Sequence, residues 1–335
     1  MSRRLLQAAL FSLAVATSSQ ILAAGSVAAQ EVVPTTAATE DAHPQWQLLS
    51  RAQMQLKTLN FDLSFVQIKG NQLATYRWLH GLVDNTDPSQ NIELERLILQ
   101  DGVGTETIRR NDRVYYTVPG APTTVTINHY IRELPSLFFL SVPELQRLYD
   151  AVQGSSIAIS GRTAQLIRLS ARSTGRYDYW VWLDAQTGFP LRIDTVAQNN
   201  QVLERWVVVH LQVKPEFPAD LTDLITAPLP EQPLQIQRSA VAESTVQLKW
   251  LPDGYQAVEQ PGTVLTRSSQ LLASWLLSDG MHQISVFVQP ASHMGDQLLR
   301  DGATTILVRS GEQYDVTVIG PILPELAQQI ASSIE

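Results

Sequence analysis

The chain has 335 residues, 44% of them hydrophobic and 17% charged, with a formal net charge of −8 and no cysteine. The missing cysteine excludes disulfides, thiol catalysis, thiolate metal sites and a lipidated N-terminal cysteine. The acidic balance and the lack of a long basic run argue against a nucleic-acid partner, while the length leaves room for two domains.

The N-terminus reads as an export signal. Arg3 and Arg4 give a positive start, Leu5 to Val15 a short apolar core, and Val27-Ala28-Ala29 small residues before a cut at Gln30. The apolar core is shorter than a bilayer span needs. Cleavage would remove two arginines and no acid, taking the net charge from −8 to −10. Residues 30–43 lack periodicity and read as a flexible tail.

Pro44 to Leu59 is predicted as a helix, with Leu49, Ala52, Leu56 and Leu59 at helical spacing. Short alternating stretches follow from Phe61 to His129, separated by Gly70-Asn71, Asp101-Gly102, Asn111-Asp112 and Pro119-Gly120. Regular strands between such turns predict an antiparallel meander. Leu134 to Val152 interrupts it. Ser141 and Glu144 form a capping box, and Leu145, Leu148, Tyr149 and Val152 share one face of a predicted helix.

Strands then resume at Ile157. Tyr177 to Asp184 alternates Tyr177, Tyr179 and Val181 with Trp180 and Trp182, turns through Asp184 to Gly188, and continues to Asp194. Val202 to Val213 closes the set. The pattern predicts an open, curved antiparallel barrel over 44–213, with helices against its concave face. Five prolines crowd 214–245, which reads as a linker. Residues 246–335 read as a small α+β domain, with hairpins at Ser278-Asp279-Gly280 and Ser310-Gly311 and a helix from Pro324 to Ile334.

The chain carries no nucleophile elbow, no His-Glu-x-x-His and no phosphate loop. His43, His80, His129, His210, His282 and His293 are scattered without metal-ligand spacing, and each reads as a surface or strand residue. No enzyme, metal or cofactor is expected. What stands out is large apolar side chains. Phe61, Phe65, Trp78, Phe138, Phe139, Leu145, Leu148, Trp180, Trp182 and Trp206 could line an apolar pocket for an acyl chain, or form an ordinary aromatic core. The indoles of Trp180 and Trp182 are expected to face that cavity beneath the Phe138-Phe139 loop. Arg176 and Arg192 read as solvated strand-edge arginines or as contacts to an anionic headgroup.

The stretches Leu59 to Phe65, Leu134 to Leu137, Tyr179 to Asp184 with Pro190 to Asp194, Trp250 to Tyr255, Ser278-Asp279-Gly280 and Val316 to Pro321 resemble the RseB/MucB family. The resemblance runs in order from about residue 46 to the end. It implies a large domain like the lipoprotein carriers LolA and LolB, followed by a small regulatory domain. It also implies a periplasmic negative regulator of a sigma-E (AlgU-type) factor, binding the periplasmic region of a membrane anti-sigma factor of the RseA/MucA type. That binding would shield the anti-sigma factor from proteolysis, with release favoured by lipopolysaccharide or a related amphiphile such as lipoprotein acyl chains. The family offers no catalytic motif. Trp250 and Tyr255 are candidate partner-binding residues, or small-domain core. A lipoprotein carrier of the LolA type is the alternative, and homo-oligomerisation stays open.

Overall fold

A computed structural model describes residues 43–102, 104–230, 246–258 and 271–335. The expected signal peptide, the tail up to residue 42 and the later part of the proline-rich segment lie outside these residues.

Helix α1 (Pro44–Thr58) starts on Pro44, whose fixed φ suits a first helical position. Trp46, Leu49, Ala52 and Leu56 form its buried stripe. Strands β1 (Asn60–Lys69), β2 (Gln72–Val83), β3 (Ile92–Leu99), β4 (Glu106–Arg110), β5 (Arg113–Thr117) and β6 (Thr124–Ile127) then step outward, each antiparallel to the last. The chain crosses the concave side through a 3-10 turn at Ser136–Phe138 and helix α2 (Val142–Leu148). It re-enters at the opposite edge with β7 (Tyr149–Ile159) and returns through β8 (Arg162–Ala171), β9 (Asp178–Asp184) and β10 (Pro190–Val196). The last strand, β11 (Val202–Lys214), closes beside β1. The sheet so formed has eleven strands among the described residues, with β6 and β7 at its two edges, so it is curved but not closed.

The capping box is present: Ser141 N–H donates to the Glu144 carboxylate at 2.9 Å. The predicted helix stops early, however. Tyr149 and Val152 lie on β7, where they pair with Ala171 and Arg168. Strand pairing has overridden a helical spacing.

The concave face is packed. Phe61 meets Trp78 and Phe189 edge-on at 4.9 and 5.0 Å, and Phe65 lies 5.1 Å from Trp206. Leu49, Leu137, Phe138, Leu145 and Leu148 come down onto these rings from α1, the 3-10 turn and α2. Gln53 of α1 donates to the carbonyls of Leu137 and Leu140, fixing the two plugs to each other.

The first part of the proline-rich segment is a strap and not a free tether. A 3-10 turn (Ala219–Leu221) leads into the short helix α3 (Thr222–Thr226). Leu221 is buried against Leu79 and Leu94 on the convex face. Arg110 donates to the carbonyls of Leu224, Ile225 and Ala227, closing the end of α3. Gly81 gives the strap its seat: a Cβ there would stand 2.6 Å from the Phe217 ring and 2.9 Å from Pro218. Gly81→Val is expected to destabilise by about 1–3 kcal/mol through overpacking. Limited proteolysis should then cut near 215–229 faster than in the parent chain.

The second sheet contains β12 (Gln256–Val258), β13 (Ala273–Ser278), β14 (Gln283–Pro290), β15 (Gln297–Asp301), β16 (Thr304–Ser310) and β17 (Tyr314–Gly320), in the order β12-β13-β14-β17-β16-β15. Helix α4 (Pro324–Ser332) packs on β16 and β17 and buries Leu326, Ala327, Ile330 and Ala331. Both predicted hairpins and the terminal helix are present. Strand β15 gave no signal, because all five of its residues are exposed and nothing enforces alternation. No helix among the described residues is long and apolar enough to cross a membrane.

Candidate functional site at the junction of the two sheets

The two sheets meet at the start of β9 and the β13–β14 hairpin. The glycine at 175 lets the chain approach closely: its φ is +94°, and its carbonyl accepts from Leu323 N–H at 2.9 Å. Arg176 follows and is the centre of the junction. Its Nε donates to Asp279 Oδ2 at 3.0 Å and its Nη2 to the Asp253 carbonyl at 2.5 Å. It also donates to the Ser173 hydroxyl. Its guanidinium lies 4.8 Å over the Tyr255 ring, adding cation–π attraction. Arg176 and Asp279 are both almost fully buried, so neither reading of Arg176 as a solvated or headgroup-binding residue holds.

Asp279 is pinned by its own turn, accepting from Met281 N–H at 2.9 Å and His282 N–H at 2.6 Å. His282 Nε2 in turn meets the Tyr179 hydroxyl at 2.7 Å, and the two rings stack. Tyr177 donates to the Ile322 carbonyl at 3.0 Å, and Arg300 donates to Tyr177. Glu204 of β11 accepts from Ala303 N–H at 3.0 Å. Leu140 of the plug lies against Gly280, and Met281 belongs to the same apolar cluster as Leu140 and Phe138.

Burial drives the Asp279 carboxyl up, but hydrogen bonds and charge from His282 and Arg176 overcome this and hold it well below the usual carboxylate range. Burial likewise raises Glu93, yet hydrogen bonds from His80 and Arg109 hold it at about 2. A folded value below the unfolded one, about 4 for a carboxylate, means stability fully present above the unfolded value and lost progressively as pH falls from there through the folded value. The melting temperature should therefore hold from pH 7 to about 4.5 and drop below that. Asp279→Asn should show a shallower drop, which thermal unfolding at stepped pH measures. Burial also pushes the hydroxyls of Tyr149, Tyr179 and Tyr255 well up.

A cleft of about 350 Å³ opens beside this junction, between the concave face, the 130–137 loop and the β14 end of the second sheet. Of the ten sequence-predicted pocket residues only Trp206 lines it. Phe61 borders a different cleft, beneath the strap. Phe65, Trp78, Phe138, Leu145 and Leu148 are brought together in the packed core, and Phe139 stacks on Tyr130 at 4.7 Å.

Trp180 and Trp182 are corrected. Register puts Val181 beside Ile167 and Ile193, and Ile193 beside Trp206, so Tyr179 and Val181 face inward. The indoles stand on the convex face, where Arg168 covers Trp180 at 5.3 Å and Arg192 covers Trp182 at 4.3 Å. Guanidinium stacking lets an outward indole be as buried as a core residue.

Tyr255 is also corrected as a partner-binding residue: it is buried under Arg176 and closed off at the junction. Trp250 is half-buried against the small core. Sequence reasoning missed Asp279, His282 and Tyr179 as a unit. The Ser278-Asp279-Gly280 turn marked the position, but nothing in the sequence marked its partner. His80 lies along a strand as expected, within β2, and is buried between the Leu59 carbonyl at 2.7 Å and Glu93 at 3.2 Å; His282, at the β13–β14 turn, is buried too. Among the described residues no group of three His, Asp or Glu could hold a metal ion.

Fold and junction together define a two-sheet, β-rich α+β protein with a buried polar cluster where its two sheets meet. Residues 44–240 match the model of the MucB/RseB N-terminal domain and residues 240–335 that of the MucB/RseB C-terminal domain; the chain belongs to the MucB/RseB family. It is 29% identical to the sigma-E factor regulatory protein RseB of Escherichia coli K12 over 86% of this chain and 89% of that protein. It is 27% identical to the sigma factor AlgU regulatory protein MucB of Pseudomonas aeruginosa over 95% and 97% of the two chains. These relatives are named as regulators and not as enzymes. The fold matches the complex structure of Pseudomonas aeruginosa MucA/MucB at 22% identity and a TM-score of 0.66, covering 87% of this chain and 98% of that one. It also matches MucB in complex with MucA(peri) at 23% identity and a TM-score of 0.63, covering 88% and 98%.

Proposed function

We propose that this protein is a periplasmic regulator that binds the periplasmic region of a membrane anti-sigma factor and shields it from proteolysis. One observation carries the reading: two family models tile the chain from residue 44 to its end, and the fold follows MucA-bound MucB over nearly all of that chain. Export would use residues 1–29 as a cleavable signal, with a large domain over 44–213, a linker over 214–245 whose first part is strapped to the large sheet, and a regulatory domain over 246–335. Half-buried Trp250 stays a candidate contact for the partner.

An amphiphile would favour release by acting on the plug. The concave core is filled, so an acyl chain that passes beyond the cleft at the junction would displace Phe138, Leu145 or Leu148. The same loop carries Leu140, which packs on Gly280 of the β13–β14 hairpin. Displacing the plug therefore disturbs the junction that holds the second sheet. By linkage, a ligand that weakens partner binding is itself weakened by the partner to the same degree.

The test is protection. The anti-sigma periplasmic segment is digested by its initiating protease with and without this protein, and with lipopolysaccharide added. Slower cleavage that lipopolysaccharide restores supports the reading; equal rates with and without the protein end it.

A further inference from the structure

The two sheets leave four edges among the described residues, and three of them are blunted. Strands β12 and β6 have three and four residues, and β7 shifts register between Gln153 and Ser156. Strand β15 has none of these guards. It keeps one unbroken register with β16, from Gln297 beside Val308 to Asp301 beside Thr304, without a bulge, a proline or a lysine. All five of its residues are exposed, Leu298 at 47% and Leu299 at 60%, so leucine stands open on both faces of the strand. Outside the β16 ladder no backbone hydrogen bond among the described residues involves Gln297 to Asp301, which leaves a row of peptide groups along the open side. Another strand is what recognises such a row.

The sequence of β15 matches itself. In an antiparallel pair about a twofold axis at Leu299, Leu299 meets its own copy, Leu298 meets Arg300 and Gln297 meets Asp301. No like charges stand opposite each other. Its only cation, Arg300, is already turned toward the Tyr177 hydroxyl at 3.1 Å. On the face away from α4, register sets Leu299 beside Ile306 and Ile306 beside Ile319. The twofold runs Ile319, Ile306 and Leu299 of one copy straight into Leu299, Ile306 and Ile319 of the other, and apolar cross-strand pairs of this kind stabilise a sheet. A foreign strand would have to bring its own apolar residue to that one position; a second copy supplies it by symmetry. The contact is one strand wide, well under the roughly 800 Å² per partner of a stable dimer, so the association is reversible and rises with concentration.

We propose that two copies of this chain pair edge to edge through β15, antiparallel about Leu299, joining their six-stranded sheets. The experiment uses the protein alone, so this pairing and anti-sigma binding can fail separately. The chain has no cysteine, so a single introduced thiol reports on register. Across the axis the Cα atoms at 299 stand about 4.5–5.5 Å apart, within disulfide reach; those at 298 are offset by two residues to roughly 8 Å, beyond it. Under mild oxidation Leu299→Cys is expected to give at least about fivefold more disulfide-linked dimer than Leu298→Cys. Leu73→Cys, at a similarly exposed leucine away from this edge, sets the collisional background. Sedimentation velocity of the parent chain should show dimer growing with concentration. Leu299→Lys sets two ammonium groups side by side and should stay monomeric. All three positions are exposed, so the variants should fold, which circular dichroism checks. Three results would overturn the proposal: a parent chain monomeric at every concentration, which would leave the edge to a foreign strand; a dimer that Leu299→Lys leaves intact; or equal cross-linking at 298 and 299.

Discussion

Arg176→Ala is expected to destabilise the protein by about 3–5 kcal/mol, because it leaves the buried Asp279 carboxylate without its cation. The Asp253 carbonyl and the Tyr255 ring lose their partner in the same step. Asp279→Leu should cost a similar amount, since it strands the Arg176 guanidinium. The double variant Arg176→Met with Asp279→Leu separates a broken pair from a missing one. Replacing both charges with apolar groups removes the desolvation penalty along with the attraction, so the double variant should be more stable than either single. Urea unfolding followed by far-ultraviolet circular dichroism reads all three. If the double variant is no better than the singles, the pair is not the independent unit that the geometry describes.

Trp78→Ala is expected to cost about 3–5 kcal/mol, the range for removing a large buried ring. Trp78 is 1% exposed and meets Phe61 edge-on within the filled concave face. Its Nε1 has no hydrogen-bond partner in the structure. Trp78→Phe therefore loses ring area but no hydrogen bond, and should cost under about 2 kcal/mol. The series bears directly on the plug. A loss below about 1 kcal/mol for Trp78→Ala would mean a loosely filled face, with room for an acyl chain and no plug to displace.

Elements set by local chemistry were legible in the sequence. Pro44 opened α1, the Ser141/Glu144 box opened α2, and Ser278-Asp279-Gly280 turned the β13–β14 hairpin. Features set by distant partners were not. Tyr149 and Val152 fit a helix until their pairing with Ala171 and Arg168 is known. The alternation around Trp180 gave two ring-bearing faces but no inward direction, because stacked arginines supply the cover that a core would. Arg176 stood beside the hairpin with no sign that Asp279, 103 positions later, would bury it. The strap was hidden by its prolines, which exclude long helices and central strands but allow the short turn that places Leu221 against Leu79 and Leu94. At the candidate site, composition identified most of the side chains that share the concave core. It did not reveal that they fill one another's space.

Anti-sigma binding is tested most directly by titration calorimetry of the protein with the purified periplasmic segment of a membrane anti-sigma factor. Saturable heat and co-elution of the two as one complex are predicted. Neither heat nor co-elution, from a protein whose circular dichroism shows it folded, would contradict it.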